Sequence, residues 1–114
     1  MTSTNIDYDL LNELTVILED EFPKIIETFI ESTTDLLRIL SAALKEKDTK
    51  LFILKIHSLK GSCGNIGATY LAELCSVNET LAKSGRINDV DPSLEEVSKE
   101  FEKVKTVLHA FLPL

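Results

Sequence analysis

Ile56-His57-Ser58-Leu59-Lys60-Gly61-Ser62-Cys63-Gly64-Asn65-Ile66-Gly67-Ala68 is the segment of this chain whose residue types and spacing point to chemistry. Phe52, Ile56, Leu59, Cys63, Ile66 and Tyr70 recur at steps of three and four and fall in one apolar stripe of a helix. His57, Lys60, Gly61 and Gly64 stand at i, i+3, i+4 and i+7. Their directions centre roughly 130° from that stripe, so the imidazole faces solvent with a lysine one turn further on. An ordinary imidazole is largely neutral at cytosolic pH. Its free ring nitrogen is a competent nucleophile for a phosphoryl group. Transfer of that group needs in-line positioning and a cation beside the equatorial oxygens, and Lys60 is placed to be the charge partner.

The two glycines bear on the same chemistry. Glycine inside a helix costs about 1 kcal/mol relative to alanine, so Gly61 and Gly64 together cost roughly 2 kcal/mol if the helix runs through both. A bare backbone beside a displayed imidazole lets another chain or a phosphoryl group approach closely; the competing reading is that these glycines fray the helix toward Gly67. Gly67 sits where the stripe stops, and a left-handed cap accounts for it. Ile53, one turn before His57, is either an apolar docking contact on the outward face or a half-buried side chain. Taken alone, a surface histidine is ordinarily just solvated and a lone lysine is uninformative; His109, with no companion motif, is read as structural or solvated. Ser58 and Ser62 point away from His57.

The elements that must hold this segment are helical. Leu, Glu, Lys and Ala dominate the chain, alternation of the strand type is rarely sustained, and only 3 prolines and 4 glycines occur. Asp7 caps a first helix to about Glu19, lined by Leu10, Leu14 and Ile17. A second, long helix runs from about Pro23 to Lys47 on a stripe of Phe22, Ile26, Phe29, Thr33, Leu36, Leu40 and Leu44, with the proline in the first turn. The third runs from about Thr49 to Ile66. The fourth runs from about Thr69 to Ser84, with Leu71, Leu74, Cys75, Leu81 and Ala82 inward, Asn78 interrupting that face, and Gly85 as cap. Arg86 to Asp91 is a loop. Asp91 or Ser93 caps the last helix, Ser93 and Glu96 having capping-box spacing, with Val97, Phe101, Val104, Leu108 and Phe111 inward. These elements predict an all-α fold: an antiparallel up-down-up-down four-helix bundle with an additional short N-terminal helix.

Length and charge bound the rest. The 114 residues fit a single domain, 1–114, with 1–6 expected to be flexible. A net charge of −7 without a Lys/Arg cluster argues against nucleic acid as a partner. No apolar run approaches the ~18 residues of a membrane span, and no basic leader precedes an apolar run, so a cytoplasmic protein without membrane association is expected. Cys63 and Cys75 are too few for a disulfide scaffold and read as buried reduced thiols, with redox switching as the lesser alternative.

The pattern His-x-x-Lys-Gly with a further Gly, met by His57, Lys60, Gly61 and Gly67, resembles the signature of histidine-containing phosphotransfer (HPt) domains of two-component phosphorelays. The Glu21-Phe22-Pro23…Phe29 and Leu71…Leu74-Cys75 segments are also similar to bacterial members. The likeness spans roughly 7–81 and weakens at Val77-Asn78-Glu79; Ile56 stands where alanine is common. The resemblance implies that His57 is phosphorylated, that Lys60 is its charge partner, and that Gly61 and Gly64 lie under a docked receiver domain. It implies response-regulator receivers and a hybrid sensor histidine kinase as partners, a monomer, and Mg²⁺ held by the receiver, with no cofactor or metal site in this chain; a stand-alone carrier and a domain of a larger hybrid kinase are both open. It further implies a phosphoryl carrier rather than an enzyme: no nucleotide-binding Gly-rich loop is present. The alternative is a helical adaptor that binds a receiver or sensor kinase without phosphotransfer. A bundle enzyme with a metal fails for want of ligands.

Overall fold

The computed structural model describes residues 6–112. Five α-helices follow one another: α1 (Tyr8–Leu18), α2 (Phe22–Lys45), α3 (Thr49–Ile66), α4 (Thr69–Lys83) and α5 (Val90–His109). A 3-10 turn (Glu19–Glu21) joins α1 to α2 and another (Ile87–Asp89) leads into α5. Helices α2 to α5 form the four-helix bundle: each packs on the next and α5 closes back on α2. Ile26, Leu40, Phe52, Ile56, Leu59, Leu71, Val97 and Val104 are fully buried along its axis. Phe29 meets Phe101 edge-on across α2 and α5, ring centroids 6.3 Å apart. No helix among the described residues is long and apolar enough to cross a membrane.

The site-bearing helix is fixed at both ends by local chemistry. The Asp48 carboxylate accepts from the backbone N–H of Leu51 at 3.2 Å, capping its start. At its end Gly67 adopts φ 81°, and the N–H groups of Ala68 and Gly67 return to the carbonyls of Cys63 (2.8 Å) and Gly64 (3.2 Å). That is a Schellman closure. Gly67 also has a second duty: a Cβ there would lie 3.3 Å from both Cβ and O of Asp7. The N-terminal segment runs across this corner, with Asp7 N–H donating to the Gly67 carbonyl at 2.8 Å and Ile6 bridging Ala68. Of the segment 1–6 expected to be flexible, residues 1–5 lie outside the described residues, and Ile6 is held by that bridge.

Three expectations are corrected. In α1, Leu10 and Leu14 are half-buried as expected, but the fully buried residue is Leu11, Leu18 is half-buried beside it, and Ile17 is 69 % exposed. Two apolar stripes, one residue apart, run along this helix. The clasp of Asp7 to Gly67 decides which one turns inward. Second, α5 starts at Val90, not after an Asp91 or Ser93 cap. The turn Ile87–Asp89 winds directly into it, Val90 is fully buried, and Pro92 sits in the first helical turn, where no N–H is needed. Third, Asn78 is no interruption of the inward face of α4 but part of it, fully buried. Its amide donates to the Leu74 carbonyl at 2.7 Å and to the Ser93 hydroxyl at 3.0 Å. Ser93 is thereby engaged between helices rather than at a cap.

Candidate functional site

His57 projects from the middle of α3 with its side chain 66 % exposed. Its neighbour is Glu79, reaching from α4 with a side chain only 5 % exposed. Nδ1 of His57 lies 3.0 Å from Oε2 of Glu79. The other carboxylate oxygen, Oε1, is held by Nζ of Lys60 at 2.7 Å, and Nζ of Lys83 reaches Oε2 at 2.9 Å. One buried anion therefore gathers an imidazole and two ammonium groups from two helices. The Lys60 hydrogen bond, more than any other influence, draws the Glu79 carboxyl down from 4.5 to about 2; burial opposes this, and Lys83 and His57 reinforce it.

The protonation of the pair follows. An ionised carboxylate accepts and cannot donate, so the proton between Glu79 and His57 is carried by Nδ1. The imidazole, when neutral, then bears its lone pair on Nε2, the nitrogen directed away from Glu79. An electrophile that reaches this ring from solvent therefore meets Nε2.

Gly61 and Gly64 are both inside α3, which continues through them to Ile66, so they do not fray it. Both are exposed, and a Cβ on either would meet nothing within 4 Å. No packing requirement of the chain itself calls for glycine at these two places. Ile53 is half-buried against the core. Leu54, three residues before His57 and 61 % exposed, is an outward apolar side chain that the helical pattern did not single out. Lys60 is where the spacing placed it, but its partner is Glu79. Cys63 and Cys75 are free and buried, and the neighbouring Cys75 together with burial pushes the Cys63 thiol up, which keeps it protonated.

Sequence reasoning missed Glu79 and Lys83. The signal was present: Glu79 is four residues after Cys75 and eight after Leu71, on the inward stripe of α4. An acid on a buried stripe demands cations, and Lys83 stands at i+4.

A four-helix bundle that displays one tautomer-fixed imidazole beside two lysines, with bare backbone one turn on, defines a class of histidine-presenting helical modules. The chain belongs to the Hpt domain family, whose model matches residues 24–107. Among solved structures it is similar to the histidine-containing phosphotransfer protein B of Pseudomonas aeruginosa PAO1. The TM-score is 0.90 at 30 % identity, over 96 % of this chain and 95 % of that one. It also shares its fold with a putative histidine-containing phosphotransfer protein from rice: TM-score 0.84 at 13 % identity, over 96 % of this chain and 82 % of that one. No curated protein sequence matches it significantly. Histidine phosphotransfer within phosphorelays is the role that this membership defines.

Proposed function

We propose that this chain is a phosphoryl carrier that takes the group onto Nε2 of His57 from a receiver-domain aspartate and hands it to another receiver. The Nε2 lone pair attacks the phosphorus of the aspartyl phosphate. The Nε2–P bond forms, the P–O bond to the carboxyl breaks, and its electron pair stays on the aspartate as carboxylate. The ring keeps its Nδ1 proton and becomes cationic, next to the Glu79 carboxylate that balances it. Onward transfer is the reverse, with a second aspartate oxygen attacking and the Nε2–P pair returning to the imidazole.

Lys60 offers charge to the equatorial oxygens while still holding Glu79. Gly61 and Gly64 leave room for the receiver's backbone, and Ile53 with Leu54 lies beside its footprint. In this reading Mg²⁺ is bound by the receiver, and the phosphoryl group enters from a hybrid sensor kinase. It works as a monomer in the cytoplasm and turns over no small molecule. What carries this reading is the 3.0 Å contact of Nδ1 with a buried carboxylate, which leaves Nε2 as the outward nucleophile.

Incubation with a radiolabelled phosphorylated receiver tests it. Acid-labile, base-stable label should move onto the chain and vanish with His57→Gln. Lys60→Ala should slow transfer by about tenfold or more while the domain stays folded. Label that persists in His57→Gln removes the site assignment. A stable complex with no label transferred from any receiver selects the adaptor instead.

A further inference from the structure

The two protons held by Oε2 of Glu79 have different owners. One is on Nδ1 of His57, 3.0 Å away, and the other on Nζ of Lys83, 2.9 Å away. Oε1 is already engaged by Lys60 at 2.7 Å. Lys83 has a side chain 58 % exposed and so is free to leave, whereas Glu79 is not. We propose that Lys83 sets the lifetime of the phosphorylated imidazole by competing with Nδ1–H for Oε2 of Glu79, which makes it a positioning residue for a group that it need not touch. This rests on the carrier reading above.

The argument is one of leaving groups. A ring phosphorylated on Nε2 departs as neutral imidazole if Nδ1 keeps its proton, and as a poor, anionic leaving group if it does not. In hydrolysis, water oxygen attacks phosphorus, the Nε2–P bond breaks with its pair returning to the ring, and the water proton passes to solvent. Every acceptor strength added at Oε2 keeps the Nδ1 proton in place to higher pH, and so shortens the lifetime. Lys83 draws on the same oxygen and places a positive charge near the cationic ring, and both effects lengthen it. The groups that set the acidity of Glu79 are Lys60 and His57 on α3 and Lys83 on α4. On α2, Asp35 and Arg38 pair with each other. On α5, Glu95 pairs with Lys99 and Glu102 with Lys105.

The test loads the full chain with phosphoramidate, a small donor that bypasses any receiver, and follows phosphohistidine decay by ³¹P NMR across the neutral to alkaline range. The ¹⁵N resonance of Nδ1 reports the proton. Lys83→Ala should shorten the half-life at neutral pH roughly fivefold, the worth of a modest hydrogen bond, and should move the pH at which decay slows upward. Lys83→Arg should restore both values, and Glu79→Gln should move that pH downward. An unchanged lifetime overturns the proposal. So does a shortened lifetime with no movement along the pH axis, which would place Lys83 on the phosphoryl oxygens instead. A ring that accepts nothing from phosphoramidate overturns it as well. Failure of every receiver to transfer label would sink the carrier reading while leaving this measurement intact.

Discussion

A carboxylate buried to 5 % exposure between two lysines and an imidazole stays an anion in the fold down to strongly acid pH, and that has a consequence for stability as well as for chemistry. In the folded chain the Glu79 carboxyl titrates at about 2, against 4.5 for the ordinary group, with Lys60 the leading cause. Its folded value is depressed, so the stabilisation is fully present above about 4.5 and is lost as pH falls through about 2. Its ceiling is about 3 kcal/mol. Glu79→Gln should therefore flatten the acid limb of a plot of urea midpoint against pH in that window, relative to wild type. Parallel curves would mean that the lysines screen the carboxylate without stabilising it. This residue was legible only in part. The position of Glu79 on an inward stripe could be counted, but which cations would meet it depends on how α3 and α4 are rotated against each other, and no local pattern encodes that. His57 and Lys60 were legible because their relation lies within one helix.

The same distinction runs through the elements. The bounds of α3 are written in its own ends: Asp48 bonds back three residues on, Gly67 alone takes the left-handed turn, and the stripe between them has one phase. The start of α5 and the inward face of α1 are not so written, because a turn that winds into a helix and a clasp between distant residues decided them. The three glycines of α3 and its cap make this testable. Gly67→Ala places a Cβ at positive φ, at roughly 1–2 kcal/mol, and presses it against Asp7, so thermal melts should show a clear loss. Gly61→Ala and Gly64→Ala meet open space and remove a helix-interior glycine, so each should raise stability by up to about 1 kcal/mol. Under the carrier reading the same two substitutions slow transfer from a phosphorylated receiver. A gain in stability with an unchanged transfer rate would show that no partner backbone comes close there.

At the scale of the whole molecule, the charge distribution singles out one helix. The chain carries a net charge of −7 from 19 acidic and 12 basic residues, yet α3 contains Lys50, Lys55 and Lys60 and not one aspartate or glutamate. Under the carrier reading the partner bears a phosphorylated aspartate and presents negative charge there, which the net charge of this molecule repels. Only within about a Debye length, ~8 Å at physiological ionic strength, does the local field of α3 prevail, so the helix favours approach in the orientation that brings His57 forward. Lys50 is exposed and stands seven residues before His57, two turns away on the same face. It touches nothing in the site, so its contribution should be one of encounter. Lys50→Glu should lower the association rate with a receiver severalfold at low salt, by roughly 0.5–1 kcal/mol of lost steering, and the difference should shrink as salt is added. Dissociation and the transfer rate within the saturated complex should be unchanged, because the imidazole and its carboxylate are untouched. If the loss instead appears in the saturated rate, Lys50 lies inside the footprint of the partner. If it appears nowhere, approach is governed by shape, and the absence of acids from α3 serves only to keep negative charge away from the incoming phosphoryl group.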